Sequence, residues 1–237
     1  MNRTLSVCAL IILSAPMTGW FHQNSAQGNH APSVKIISPA DRAVFKTGTP
    51  VSYQIGIADP EDGDSKFDEI NAKEVLLEVK YIRGNPGITT AIRKRPPDDA
   101  PGLTLMAISN CFNCHNFNSK SIGPSFFDIS KRYTATKVHT DTLTRHIQNG
   151  SSGVWGKEKM PSHPELTAGQ IKTAVEWILK NASARDISYY YGESGLIQFS
   201  AGKKGSYLLT ASYTDHGTPG APAKRLRGFD RISLKLE

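Results

Sequence analysis

At 237 residues, with 38% hydrophobic and 21% charged residues, the chain has room for one large or two small globular domains and the composition of an ordinary soluble protein. Its net charge of +7 comes from basic residues scattered along the chain, which excludes the one-faced basic patch of a nucleic-acid binder and points to an acidic protein partner. Three cysteines, Cys8, Cys111 and Cys114, are too few for a disulfide framework.

The N-terminus has a secretory layout. Arg3 precedes an apolar run from Leu5 to Ala15, interrupted by Ser6 and Ser14 and too short for a membrane span. The predicted signal covers residues 1–28 and takes in Cys8. It implies a periplasmic or extracellular protein, with an uncleaved N-terminus as the one route to a membrane anchor.

Residues 33–84 read as β structure. Strands are expected at 34–37, at 50–57 with period-two alternation, and at 74–81. Between the last two lies the acidic loop Asp59-Pro60-Glu61-Asp62-Gly63-Asp64. Its hard oxygens would suit Ca²⁺, but a solvated turn is the preferred reading. Residues 85–102, with Asn85-Pro86-Gly87, Arg93-Lys94-Arg95-Pro96-Pro97 and Pro101-Gly102, are expected to be a linker.

Residues 103–182 turn helical. Residues 103–110 lead into Cys111-Phe112-Asn113-Cys114-His115, the attachment pattern for a c-type haem. Two thiols one turn apart can each add to a haem vinyl group, and the next histidine can bind the iron. The same C-x-x-C spacing serves zinc sites and thioredoxin-like dithiols. Zinc would want further Cys or His at similar spacing, and a redox dithiol a βαβ context; the surrounding sequence offers neither. A helix over 139–149 carries Leu143, His146 and Ile147 on one face and stops at Asn149-Gly150. Another starts at Thr167 with Gln170 three residues on, as in a capping box, and bears the stripe Ile171, Ala174, Val175, Ile178, Leu179. Residues 188–237 return to β structure, with strands at 196–199, 206–213 and 231–236.

The helical block resembles the short bacterial class I cytochromes c, on Cys111-to-His115, Ile122-Gly123-Pro124-Ser125-Phe126, Trp155-Gly156 followed by Met160-Pro161, and Val175-Glu176-Trp177-Ile178-Leu179. The resemblance implies one covalent haem c held through Cys111 and Cys114. It implies His115 and Met160, 45 residues apart, as the metal ligands, with the Pro124 carbonyl orienting the histidine and Trp155 packing on the ring. His163 is the rival to Met160. His139 and His146 are read as ordinary histidines and Trp177 as core. No catalytic residue is expected, because His/Met ligation fills both axial positions and favours electron transfer over peroxide chemistry.

The flanking stretches "SPADRAVFKTGTPV", "ADPEDGD" and "GSYLLTASYTDHG" resemble a PKD-type, immunoglobulin-like sandwich. Three strands cannot close one, whereas both flanks together have the size of one. The expected fold is therefore an all-α class I cytochrome c domain inserted into an immunoglobulin/PKD-like antiparallel β-sandwich. This combination resembles the C-terminal region of bacterial quinoprotein sugar dehydrogenases of the sorbosone dehydrogenase-like kind. That implies a separate dehydrogenase as electron donor and a respiratory acceptor. Lys120, Lys157 and Lys159 are read either as a ring of charge at the haem edge for an acidic partner or as ordinary solubilising charge. The alternative is a haem-carrying sensor or binding module whose sandwich recognises carbohydrate or protein.

Overall fold

The computed structural model describes residues 28–83, 99–199, 204–218 and 224–237. Residues 1–27 of the predicted signal, and residues 84–98 with the Arg93-Lys94-Arg95 part of the predicted linker, lie outside the described residues. Among the described residues no helix is long and apolar enough to cross a membrane.

Period-two alternation builds the first sheet. β1 (Ser33–Ser38) buries Val34 and Ile36, and β3 (Val51–Asp59) buries every second residue from Val51 to Asp59. That is the pattern of strands with one wet face. β1, β4 (Gly63–Asp64) and β7 (Ser194–Ile197) all pair antiparallel with β3. A second sheet runs in the order β2 (Ala43–Phe45), β9 (Arg227–Leu236), β8 (Gly205–Thr214), β5 (Leu76–Ile82), β6 (Ile187–Tyr191). Each sheet thus draws strands from both sides of the helical stretch. Ile36, Ile55, Leu77, Leu209 and Leu234, from both sheets, share one apolar core.

The expectation of a wholly antiparallel arrangement needs a correction, since β2 runs parallel to β9. The turn after β1 carries the chain across to the other sheet, so no hairpin sets the direction of β2. The Asp41 carboxylate fixes the crossing by accepting the Ser233 backbone N–H at 2.8 Å, and Arg42 N–H donates to the Ser233 carbonyl at 2.8 Å.

β6 was not legible in the sequence, and β8 is buried over its eight central residues. Both lack alternation because the five-stranded sheet is covered on both faces. On β6, Tyr190 packs on the core shared by the two sheets while Tyr189 and Tyr191 pack among the helices. On β8, Leu209 enters the core, whereas Thr210 accepts from Arg231 Nε and Ser212 donates to Asp99.

The helices are α1 (Pro101–Ile108), α2 (Phe126–Arg132), α3 (Lys137–Asn149) and α4 (Ala168–Asn181). α1 begins inside the span expected to be linker, because a proline in the first turn presets φ and lacks only an N–H that has no helical partner there. α4 opens on the expected capping box, Thr167 with Gln170, and buries Ile171, Ala174, Val175, Ile178 and Leu179 together with Trp177. α1 crosses α4 at Gly102, where a Cβ would sit 2.6 Å from the Thr173 carbonyl oxygen and 2.7 Å from the Trp177 Cβ. Just before α1, Asp99 accepts both Nε and Nη2 of Arg227 at 2.7 and 2.8 Å, so a two-pronged ion pair ties the helices to β9.

Carboxylate oxygens of the acidic loop bond to the protein itself at Asp59 Oδ1 and Asp62 Oδ2. Asp59 Oδ1 accepts the N–H groups of Glu61 and Asp62, and Asp62 Oδ2 accepts the Tyr213 hydroxyl at 2.8 Å. Among the described residues no group of three or more His, Cys, Asp or Glu is arranged to hold a metal ion.

Leu209 tests whether the two sheets share their core. It is fully buried between them, so Leu209→Ala is expected to cost about 3 kcal/mol of unfolding free energy in urea. A loss below about 1 kcal/mol would contradict a common core.

Candidate functional site

The site grows out of one turn. After α1 the backbone turns left-handed at Asn110, and Cys111–Asn113 form a single 3-10 turn in which the Cys114 and His115 N–H groups both donate to the Cys111 carbonyl. Both thiols therefore project from one short turn, directly before the histidine. Among the described residues both cysteines are free thiols. Burial pushes the Cys111 thiol up to about 12, so it is neutral and not a reactive thiolate.

The chain then folds back over this turn. Gly123 N–H donates to the Cys114 carbonyl at 2.8 Å, Phe126 N–H to that of Asn116 at 3.0 Å, and Phe127 N–H to that of Phe117 at 2.9 Å. These bonds bring Pro124 onto His115, whose Nδ1 lies 2.7 Å from the Pro124 carbonyl oxygen. A carbonyl only accepts, so Nδ1 carries the proton and the neutral ring keeps its lone pair on Nε2. Burial lowers the His115 pKa, against the Pro124 hydrogen bond that raises it; the nearby His163 adds a smaller lowering. The ring is thus held neutral, in one tautomer, and stacked at 18° on Phe126. Gly123 lets the loop come this close: a Cβ there would lie 2.5 Å from His115 Cε1 and 2.9 Å from Nδ1.

Cys111, Cys114 and His115 open onto an apolar cavity with about 1190 Å³ of atom-free space, including its mouth. Met106, Phe126, Val175 and Ile178 give it walls. Opposite the attachment turn in sequence, residues 151–160 form a loop closed at its base by two hydrogen bonds between Ser151 and Met160, of 3.1 and 2.9 Å. The loop brings Trp155 and Met160 to the same cavity as His115, and Pro124 lines it too. All six residues singled out from the sequence, Cys111, Cys114, His115, Pro124, Trp155 and Met160, therefore meet at one cavity.

Other histidines sort themselves by position. His163 contacts Glu165 Oε1 at 2.7 Å through Nδ1 and is not among the cavity-lining residues, whereas Met160 is. His139 binds back to Thr134. His146, read from the sequence as ordinary, lines the cavity; its place beside Leu143 on the inner face of α3 was the available signal. Gly123, Phe126 and Ile129 were missed as site residues, because only the fold-back of the 116–125 loop brings them to the histidine. Arg132 was missed for the same reason; its guanidinium lies 5.0 Å from the Trp155 ring centroid, a cation–π contact at the cavity rim.

Around this apolar slot stand the neutral His115 imidazole, two free thiols and the Met160 thioether, with His146 and Met106 also among the lining residues. Soft sulfur and imidazole groups around a mostly apolar cavity, with Glu158 as the one carboxylate among its lining residues, suit an iron porphyrin better than a hard cation. These features define a haem-binding helical domain.

Comparison with known proteins agrees. Residues 97–178 match the family described as cytochrome C oxidase, cbb3-type, subunit III. Cytochrome c-551 of Stutzerimonas stutzeri is 34% identical over 107 residues, 45% of this chain and 96% of that protein. Cytochrome c-551 of Ectopseudomonas mendocina is 38% identical over 80 residues, 34% of this chain and 96% of that protein. The crystal structure of wild-type Nitrosomonas europaea cytochrome c552 aligns at 34% identity over 32% of this chain and 94% of that one, with a TM-score of 0.31. The chain belongs to the c-type cytochromes, electron-transfer proteins that carry covalently bound haem c. The match covers the helical part and leaves most of the two sheets outside it.

Gly123→Ala tests the close approach to His115. The added methyl group must push the ring off Pro124, with an expected destabilisation of about 2 kcal/mol in urea and loss of the slowly exchanging Nδ1 proton by NMR. Retention of that proton at unchanged stability would show that the ring is not held as described.

Proposed function

We propose that this protein is an exported, single-haem electron carrier in which Cys111 and Cys114 form the thioether links and His115 and Met160 are the axial ligands. The observation that carries the reading is the single cavity shared by two free thiols, a thioether and a neutral imidazole whose Nδ1 is committed to Pro124. Bound haem supplies the chemistry, a one-electron exchange between ferric and ferrous iron. The protein's share is to fix its surroundings. The Pro124 carbonyl, by accepting from Nδ1, makes His115 a stronger donor at Nε2. The loop closed between Ser151 and Met160 holds a sulfur on the cavity, and a thioether opposite a histidine raises the reduction potential. Trp155, braced by Arg132, covers the rim and keeps water from the cavity.

With His115 and Met160 both engaged by the haem iron, the bound group would offer no open position to a substrate, and the chain would serve as a carrier and not as an enzyme in its own right. In this reading the two sheets form a PKD-like sandwich interrupted by the cytochrome domain, as the strand pairings on both sides of the helical stretch support. The physiological donor is proposed to be a periplasmic quinoprotein sugar or alcohol dehydrogenase and the acceptor a component of the respiratory chain. Lys120, Lys157 and Lys159, exposed near the site, suit an acidic partner surface.

Two variants decide the ligand assignment. Replacing both Cys111 and Cys114 by serine is expected to abolish covalent haem, read as loss of haem staining on a denaturing gel. Met160→Ala is expected to remove the far-red sulfur-to-iron absorption of the oxidised protein and to lower the potential in a redox titration. An unchanged spectrum and potential in Met160→Ala would reject Met160 as the ligand.

A further inference from the structure

The family match spans residues 97–178, the helical part of the chain, and most of the β sheets lies outside it. Yet the haem-attachment turn is built against a β-strand. Phe112, between the two cysteines, is 1% exposed and stacks on Tyr191 of β6, with ring centroids 4.9 Å apart and planes at 12°. The Tyr191 hydroxyl donates to Oδ1 of Asn116, the residue directly after His115. Phe117, one residue further, lies 5.5 Å from Tyr189 and 6.3 Å from Tyr191, ring centre to ring centre.

Tyr191 is itself held from the sandwich side. Its backbone carbonyl accepts the Tyr53 hydroxyl of β3, and β6 is hydrogen-bonded along β5 from Leu76↔Tyr191 to Lys80↔Ile187. The Lys73 ammonium lies 4.4 Å from its ring centroid. An isolated cytochrome domain would present Phe112 and Phe117 to water on this side. Here two tyrosines from a neighbouring sheet take that place.

We propose that β6 backs the haem-attachment turn and that Tyr191 is a positioning residue for that turn, so that the sandwich tunes the cytochrome instead of merely accompanying it. This rests on the assignment of Cys111, Cys114 and His115 to the haem. Phe112 lies within the motif and Asn116 directly after it, and Tyr191 grips both, one by ring stacking and the other by its hydroxyl. Two effects follow. The turn carrying both thiols and the histidine loses its freedom to open. Water is also excluded from the cysteine side, and a drier site disfavours the more highly charged ferric state, which raises the reduction potential.

The experiment uses the full-length holoprotein and three variants. Tyr191→Ala removes ring and hydroxyl, Tyr191→Phe removes only the hydroxyl, and Tyr190→Phe is the control on the same strand. Tyr190 faces the sandwich core, and its hydroxyl bonds to Gln198. The redox titration of Tyr191→Ala is expected to give a potential below that of both the parent and Tyr190→Phe, with covalent haem still present. A potential equal to the control's overturns the proposal.

If Tyr191→Ala does not accumulate as holoprotein, Tyr191→Phe carries the test through amide hydrogen exchange of residues 111–117, read by mass spectrometry. Exchange faster than in Tyr190→Phe supports the grip on Asn116, and equal exchange overturns it. Failure of the underlying haem assignment looks different: covalent haem would persist in the protein with both Cys111 and Cys114 replaced by serine, whatever Tyr191 does.

Discussion

The hydrogen bond from His115 Nδ1 to the Pro124 carbonyl is the constraint on which the site depends. It decides which ring nitrogen carries the proton, and so which one keeps a lone pair. It also requires that a loop of nine residues return onto its own starting point. Backbone bonds make that return, from Gly123 to Cys114 and from Phe126 and Phe127 to Asn116 and Phe117. A side chain at position 123 would occupy the space of the imidazole, so the smallest residue stands at the point of closest approach. The ring is then locked from three sides, by Pro124, Gly123 and Phe126, and burial keeps it uncharged.

A second constraint lies one layer further out. The helical part does not float beside the sheets; it closes the outer face of the five-stranded one. Leu76 of β5 shares an apolar cluster with Leu103, Met106, Phe112 and Trp177, and Tyr189 and Tyr191 pack on the same cluster. Where that interface turns polar, it is fully engaged: Asp99 takes the Arg227 fork and the Ser212 hydroxyl, and Arg231 Nε reaches Thr210. An ion pair whose two side chains are 9% and 14% exposed is costly to break one-sidedly, because the remaining charge stays desolvated. The start of α1 and the last strand are therefore fixed to each other. The chain enters the helical part at Asp99 and comes back into the sheets at β6, and both points lie on this one sheet face.

Burial on two faces also explains which elements were hard to read. β1 and β3 each have a wet face, and their alternation shows plainly in the residues. β6, with the sequence Ile-Ser-Tyr-Tyr-Tyr, has none, because Tyr190 serves the core between the sheets and its two neighbours serve the helices. The short strands β2 and β4 lacked enough residues to show a period at all. α2, seven residues long, was hidden similarly: it begins at the Ser125 cap, inside the stretch read only as the proline loop. The parallel run of β2 against β9 could not be seen either, since direction in a three-residue edge strand comes from how the chain crosses between sheets.

What the sequence determined by itself was the chemistry. Two thiols at i and i+3 with a histidine next, a proline nine residues past it, and a methionine after a glycine-rich turn are local patterns, and local patterns survive in one dimension because covalent spacing sets them. The capping box at Thr167 and the apolar stripe of α4 were legible for the same reason, since helix period and cap are short-range rules. Tertiary structure alone decided what surrounds that chemistry. It brought Met160 and Trp155 to the cavity of His115, put His146 and Arg132 at its edge, and set Tyr191, 76 residues after His115, behind the attachment turn. Those neighbours meet only after the loop, the helices and the sheet have each closed, and no spacing along the chain encodes a contact between residues that burial alone brings together.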